Sequence, residues 1–229
     1  MRLARAAGYL ALTLIMYLGL PLLGWGIGDL GGFLSSPPRM AYAWLIVCVS
    51  LVAAYASFRA PEGLRGGRGL SSKRISRQTV VARAMTLLLL LGLTLVPCLD
   101  RRRILIIPIS AAGRWIGFGL GATGLLVIFW SGIALGRQYS PEVTIQEKHR
   151  LITSGPYRFV RHPRYLGGII MGIGLSTLFR SWVGLVLAGI FAAVVLFRIA
   201  DEERLMAHEF LEEWDRYCAR SWRLIPFVY

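Results

Sequence analysis

Long apolar blocks alternate with short arginine-rich stretches along most of the chain. Residues 7–27, 40–58, 84–99 and 115–135 form four of the blocks, and a fifth runs over 165–197 with a break at Arg180 and Ser181. A helix that spans a bilayer needs about 20 apolar residues, and the first four blocks meet that length or come close to it. The first follows Arg2 and Arg5, as a signal peptide would. Its apolar run exceeds the roughly 7–15 residues of a signal core, and no small-residue cleavage pattern follows it, so the pattern predicts a retained span. The last block is too long for one span and predicts two short helices turning within 178–182. A partly buried segment is expected over 104–109. The expected fold is all-α and polytopic: six transmembrane helices, or five if the last block is a shallow hairpin.

Beyond 197 the spacing of Met206, Phe210, Trp214 and Tyr217 predicts an amphipathic helix over 198–222 that follows the last span without a breaker. The expected organisation is therefore four spans in 1–135, then a region 136–229 holding the hairpin 165–197 and that C-terminal helix.

Composition agrees with the pattern. Of 229 residues, 55% are hydrophobic and 17% charged, with a mean hydropathy of +0.58, against about 25% charged in soluble domains. A soluble enzyme with one compact core is excluded. The net charge of +14 comes from 26 basic and 12 acidic residues. The basic residues lie between apolar runs and not in a folded basic domain, which argues for an anionic membrane surface and against nucleic acid. With the N-terminus in the cytoplasm, segments 1–6, 59–83, 136–164 and 198–229 hold 20 Lys and Arg, and the other side holds 6. The positive-inside rule then puts both termini in the cytoplasm. Arg101, Arg102 and Arg103 are discordant and are expected to snorkel to headgroups. Arginine supplies 24 of the 26 basic residues, a bias read here as that of a GC-rich bacterium, so the expected location is a bacterial cytoplasmic membrane.

Several motifs carry no chemistry. Gly119-Leu-Gly-Ala-Thr-Gly124 matches a dinucleotide fingerprint but lies inside a predicted span, with no preceding strand. Gly117 with Gly121, and Gly168 with Gly172, have the spacing of close helix packing. Cys48, Cys98 and Cys218 are widely spaced and are expected to be small buried hydrophobes, with no zinc or disulfide framework. No metal site is expected.

The chemistry concentrates in two polar segments. In the first, Gly155-Pro156 signals a turn, and Pro163 suits the first turn of the next helix. Arg161 and His162 then stand at the cytoplasmic mouth of a helix entering the bilayer. A helix N-terminus and an arginine together favour a carboxylate. Tyr157 and Tyr165 offer amphipathic faces at the interface. In the second segment, Glu202 and Glu203 lie just below the membrane, at a depth where acids need a cationic partner. An anion clamp, aromatic faces and carboxylates beside lipid suit an amino-acid sulfonium such as S-adenosylmethionine: Arg161 for its carboxylate, Glu202 or Glu203 for its ammonium or ribose hydroxyls.

These segments resemble the isoprenylcysteine carboxyl methyltransferase family. The residues that carry the resemblance are His149-x-Leu151-Ile-Thr-Ser-Gly155-Pro-Tyr157, then Arg161-His162-Pro163-x-Tyr165-Leu-Gly167, then Glu202-Glu203, Phe210, Tyr217 and Leu224-Ile225-Pro226. The resemblance covers roughly the last ninety residues. It implies a polytopic membrane methyltransferase that uses S-adenosylmethionine and releases S-adenosylhomocysteine. It implies that His149, Leu151, Tyr157, His162, Pro163, Tyr165, Glu202 and Glu203 line the cofactor, with Arg161 near the acceptor or the cofactor carboxylate. Arg161 and Glu202 are the candidate catalytic residues. The acceptor, lipophilic or small, would present a carboxylate, thiol or amine; its identity and the oligomeric state stay open. The alternative reading is an NADPH-dependent membrane reductase of the sterol-reductase type, whose C-terminal region is distantly similar. A third is a membrane scaffold or transporter component.

Overall fold

The structure, a computed structural model, describes residues 2–59, 76–135 and 151–228. Its elements are helical: α1 (Arg2–Leu14), α2 (Leu20–Trp25), α3 (Leu30–Leu34), α4 (Pro37–Arg59), α5 (Ser76–Arg102), α6 (Ala111–Leu135), α7 (Pro163–Leu178), α8 (Trp182–Phe210) and α9 (Glu212–Cys218). One π-helical turn, Ile15–Gly19, joins α1 to α2 without a break. Among the described residues the only strand-like pairings are two isolated bridges. The protein is all-α and polytopic.

Among the described residues five helices are long and apolar enough to cross a membrane: Arg2–Trp25, Pro37–Arg59, Gln78–Arg102, Ala111–Leu135 and Trp182–Phe210. None buries more than 28% of its apolar window within the chain. Outward-facing leucine, isoleucine and tryptophan are what lipid as solvent requires, because the helices already satisfy their own backbone. Five is the lower of the two expected numbers. The 165–197 block does turn where expected, but unequally. Helix α7 has 16 residues, about 24 Å, short of the roughly 30 Å hydrocarbon core. Helix α8 has 29 residues, about 44 Å, so its C-terminal turns extend beyond one hydrocarbon thickness. The helix expected over 198–222 is corrected: its first part continues α8, the chain breaks at Leu211 (φ 46°), and α9 ends at Cys218.

Packing groups the chain into two units. The first draws on Met1–Gly63, Leu87–Thr123 and Ile170–Gly189. Here α1 lies along α4, and an aromatic cluster of Trp25, Phe33, Tyr42 and Phe179 fills the interior. Gly174 meets Gly121 and Gly117 so closely that a Cβ on Gly174 would overlap the facing backbone. The close approach expected of Gly117 and Gly121 is therefore present. Arg180, at φ 49°, turns the chain between α7 and α8. Ser181 then caps α8 by accepting from the Gly184 N–H (3.1 Å).

In the same unit four of the six arginines outside the predicted cytoplasmic segments find partners. Asp100, its side chain fully buried, receives Arg39 (3.2 Å), Arg114 (3.1 Å) and Arg180 (2.8 Å). The Arg39 guanidinium also lies 4.3 Å from the Trp25 ring centroid. Arg101 donates to the Trp25 carbonyl (2.6 Å) and lies 3.4 Å from Asp29. The expectation that Arg101 snorkels is thus corrected: a carbonyl and a carboxylate hold it. The cysteines depart from expectation too. All three are free; Cys48 is exposed and the others half-buried.

The second unit draws on Leu64–Thr86, Gly124–Ile169 and Ile190–Tyr229. Its core is Val195, Ile199 and Leu224, with Met85, Tyr165, Leu166, Ile169 and Phe191 packed against them. A Cβ on Gly167 would press on the Gly124 carbonyl, and one on Gly168 on the Phe191 ring, so small residues set these spacings. This unit carries the polar cluster singled out in the sequence.

Candidate active site

The segment before α7 is shaped by its own residues. Gly155 adopts φ 61°, open to glycine without strain, and starts a single 3-10 turn over Gly155–Arg158. The chain then runs beside the C-terminal segment. The Arg161 N–H donates to the Trp222 carbonyl (2.7 Å), and the Trp222 N–H donates to the Phe159 carbonyl (2.9 Å). Pro163 opens α7, where its missing N–H costs nothing. The His162 carbonyl accepts from Tyr165 (3.1 Å) and Leu166 (3.2 Å), which fixes His162 as the residue that enters the helix. Leu224 in the core anchors the C-terminal segment against this turn.

From these two strands of chain and from α8 the side chains converge. Glu203 lies at the centre. It accepts from Arg161 Nε (3.0 Å) and Arg223 Nη2 (2.6 Å), with His162 Nε2 at 3.4 Å. The neighbouring Glu202 accepts from the Tyr165 hydroxyl (2.5 Å) and Arg198 Nε (3.0 Å), with His162 Nδ1 at 3.6 Å. His162 thus has one ring nitrogen toward each carboxylate. Its ring stacks on Tyr165 at 5.8 Å and 18°. Arg198 also donates to the Tyr165 hydroxyl (2.6 Å). The Glu203, Arg161 and Arg198 side chains are about nine-tenths buried, so these ion pairs are screened far less than surface ones.

Arg161 does a second job. Its Nη1 donates to the carbonyls of Cys218 (3.2 Å) and Ser221 (2.5 Å) at the end of α9, where helical carbonyls lack partners. The Tyr217 hydroxyl donates to the Tyr157 carbonyl (2.7 Å), tying α9 to the 3-10 turn. Burial pushes the Tyr217 hydroxyl up to about 12, and it pushes the Cys218 thiol up as well. Both therefore stay protonated near neutrality.

Arg161, His162, Tyr165, Glu202 and Glu203 are thus brought into one hydrogen-bonded cluster. Tyr157 is buried beside it and joined through Tyr217, and Pro163 begins the helix that carries it. Leu151 is half-buried in the irregular stretch before the 3-10 turn. His149 lies outside the described residues. Three members were not foreseen. Arg198 sits one helical turn before Glu202, an i,i+4 pairing visible in the sequence. Arg223 and Ser221 gave no local signal; they arrive through the pairing of the C-terminal segment with 159–162. His208 is exposed, as its charged surroundings suggest.

The architecture is that of an integral membrane protein with a buried ionic cluster near one end of its last long helix. Residues 118–208, which run from α6 through α7 into α8, match the model of the Isoprenylcysteine carboxyl methyltransferase (ICMT) family. The chain is 30% identical over 103 residues to protein-S-isoprenylcysteine O-methyltransferase B of Arabidopsis thaliana, covering 42% of this chain and 50% of that protein. It is 26% identical over 121 residues to a probable protein-S-isoprenylcysteine O-methyltransferase of Oryza sativa, covering 50% and 61%. It is also 36% identical over 87 residues to a Delta(14)-sterol reductase of Mus musculus, covering 35% of this chain but 20% of that protein. The chain therefore spans between a fifth and about three-fifths of the length of these relatives.

Proposed function

We propose that the protein is an S-adenosylmethionine-dependent methyltransferase of a bacterial cytoplasmic membrane. In this reading it works at the cytoplasmic face, with both termini on that side. The acceptor is lipophilic or small and presents a carboxylate, thiol or amine. The observation that carries the reading is the joining of Arg161, His162 and Tyr165 to Glu202 and Glu203 in one buried network. The region 136–229 is its cofactor-binding part.

The donor set fits the cofactor chemically. The methionyl end of S-adenosylmethionine is a zwitterion. The cluster is a set of adjacent arginine–glutamate pairs, Arg161 with Glu203 and Arg198 with Glu202. A zwitterion entering such a set exchanges internal partners for external ones and leaves no buried charge uncompensated, which is the condition for binding at this depth. Arg161 receives the carboxylate, and Glu202 receives the ammonium or the ribose hydroxyls. The stacked His162 and Tyr165 rings provide a flat wall, completed by Leu151, Tyr157 and Pro163; His149, outside the described residues, is proposed as a further cofactor contact on the resemblance alone. Glu203 holds Arg161 in orientation. When bound, the cofactor supplies a methyl group on cationic sulfur, and alignment with the acceptor is the main catalytic demand.

The test is thermal unfolding in detergent with S-adenosylhomocysteine and, separately, NADPH. At about 100 times its Kd a ligand stabilises the native state by about 2.7 kcal/mol. S-adenosylhomocysteine is expected to raise the Tm, and Arg161→Ala and Glu202→Ala are expected to lose that response. A full response in both variants overturns the proposal. The stretch shared with the mouse reductase supports the second reading, and stabilisation by NADPH alone selects it.

A further inference from the structure

The first unit holds a second concentration of charge, independent of the network around Glu203. A cavity of about 690 Å³ opens where α2 ends, α4 begins, α5 ends, α6 begins and α7 turns into α8. Its wall carries Arg39, Arg101, Arg103, Arg114 and Arg180 against Asp29 and Asp100. Both acids are already engaged. Asp100 receives three guanidiniums, and Asp29 caps α3 through the Gly32 N–H (3.0 Å) and lies 3.4 Å from Arg101. The wall therefore keeps a surplus of three positive charges.

That surplus has a location and a direction. The five residues come from the ends of consecutive apolar helices, so the cavity lies at one membrane–water interface. Ser36 and Ala111, at the N-terminal ends of α4 and α6, also line it, and helix N-termini add partial positive charge. A carboxylate held by three arginines satisfies only part of their donor capacity, since each guanidinium carries five N–H groups. Planar guanidiniums arrayed about a partly buried cavity at headgroup depth suit tetrahedral oxyanions bound by paired N–H bonds. The cavity volume falls in the range that encloses a small molecule and exceeds what a single inorganic ion fills.

We propose that this cavity is a phosphate-binding site, with the phosphate held by Arg114 and Arg180 from the Asp100 cluster and by Arg103 from the rim. The phosphate belongs to the headgroup of an anionic lipid or to a free phosphate species; the recognising chemistry is the same.

The experiment uses the intact chain in zwitterionic detergent. It is titrated with inorganic phosphate, with mixed micelles containing phosphatidylglycerol, and with matched micelles containing phosphatidylcholine, and Tm is the readout. Stabilisation by phosphatidylglycerol beyond that by phosphatidylcholine identifies a lipid headgroup, and stabilisation by phosphate alone identifies a free species. In either case Arg103→Gln, exposed on the rim and outside the Asp100 cluster, is expected to weaken the response about tenfold, as is Arg114→Gln. If Arg114→Gln fails to fold, Arg103→Gln carries the result. No response to phosphate with equal responses to both lipids overturns the proposal, as does a response unchanged in Arg103→Gln. The S-adenosylhomocysteine response of Arg103→Gln is expected to match that of the parent, so this test stands or falls apart from the methyltransferase reading.

Discussion

Replacing Glu203 with glutamine tests the network at its centre. The substitution keeps the shape and one carbonyl acceptor, but it turns the other oxygen into a donor and removes the charge. Arg161 and Arg223 then compete for one acceptor, and the displaced guanidinium faces an NH2 group. The loss is not the sum of both bonds. The Arg223 side chain is 37% exposed, so water replaces much of what it loses. Arg161 is 11% exposed and has no such recourse. Hydrogen bonds to charged groups contribute about 1.5–3 kcal/mol, and removing one partner of a buried pair costs about 3–5 kcal/mol. Because glutamine keeps an acceptor, the expected cost is about 2–3 kcal/mol. For a chain of this size that is a Tm fall of about 5–10 °C. Thermal unfolding in detergent, followed by tryptophan fluorescence, measures it. Glu209→Gln, an exposed site on the same helix, is the control and should change stability by less than about 0.5 kcal/mol. A Glu203→Gln fall no larger than the control's would show that the carboxylate does not bind these arginines. Weaker S-adenosylhomocysteine binding should accompany the fall, because Arg161 loses the group that orients it.

Asp100→Asn leaves three arginines without a counter-charge and should destabilise the protein by about 3–5 kcal/mol; an unchanged melting curve would refute the ionic reading of that cluster. Gly174→Ala pushes a methyl into the backbone of Gly121 and should cost about 1–3 kcal/mol, whereas Gly119→Ala, which meets open space, should leave the Tm unchanged or raise it. Tyr217 has its folded-state pKa raised by burial from the ordinary 10.0 to about 12. The folded state therefore keeps a proton that the unfolded chain has released, and stability from this group is complete below pH 10 and falls as pH rises toward 12. Tyr217→Phe should remove that part of the alkaline slope in pH-dependent melts and lose about 1 kcal/mol at neutral pH for the bond to the Tyr157 carbonyl; an identical slope would refute it.

What the sequence disclosed depended on the range of the interaction. Spans are local: an uninterrupted apolar run and its length decide them, so all five long helices were legible, and Arg180-Ser181 marked the α7–α8 turn. The end of α7 at Leu178 was legible too, whereas α8 is longer than its apolar pattern, which stops at Phe197, because the helix continues through polar residues to Phe210. Leu211 is opaque to periodicity, since Phe210 and Trp214 keep helical spacing on both sides of the break. At the site, Arg161, His162, Tyr165, Glu202 and Glu203 were legible because a turn signal and a proline mark the start of α7 and an acidic pair interrupts the apolar pattern of α8. Arg223 was not, because its partner lies 20 residues away and is reached through strand-like pairing of the C-terminal segment.

The arginines show why a charge count and a contact map answer different questions. Counting the basic residues treats each as a surface charge drawn to one side of the membrane. Asp100 breaks that assumption. Arg39, Arg114 and Arg180 converge on it from the ends of three helices, so their position answers to ion pairing inside the fold and not to the lipid surface. Three of the six arginines outside the segments counted as cytoplasmic are thereby accounted for by Asp100. The same logic separates the two clusters chemically. Around Glu202 and Glu203 each buried arginine, Arg198 and Arg161, faces its own acid while Arg223 reaches solvent, an arrangement a zwitterion can enter by exchange. Around Asp100 the cations outnumber the acids, an arrangement an anion completes.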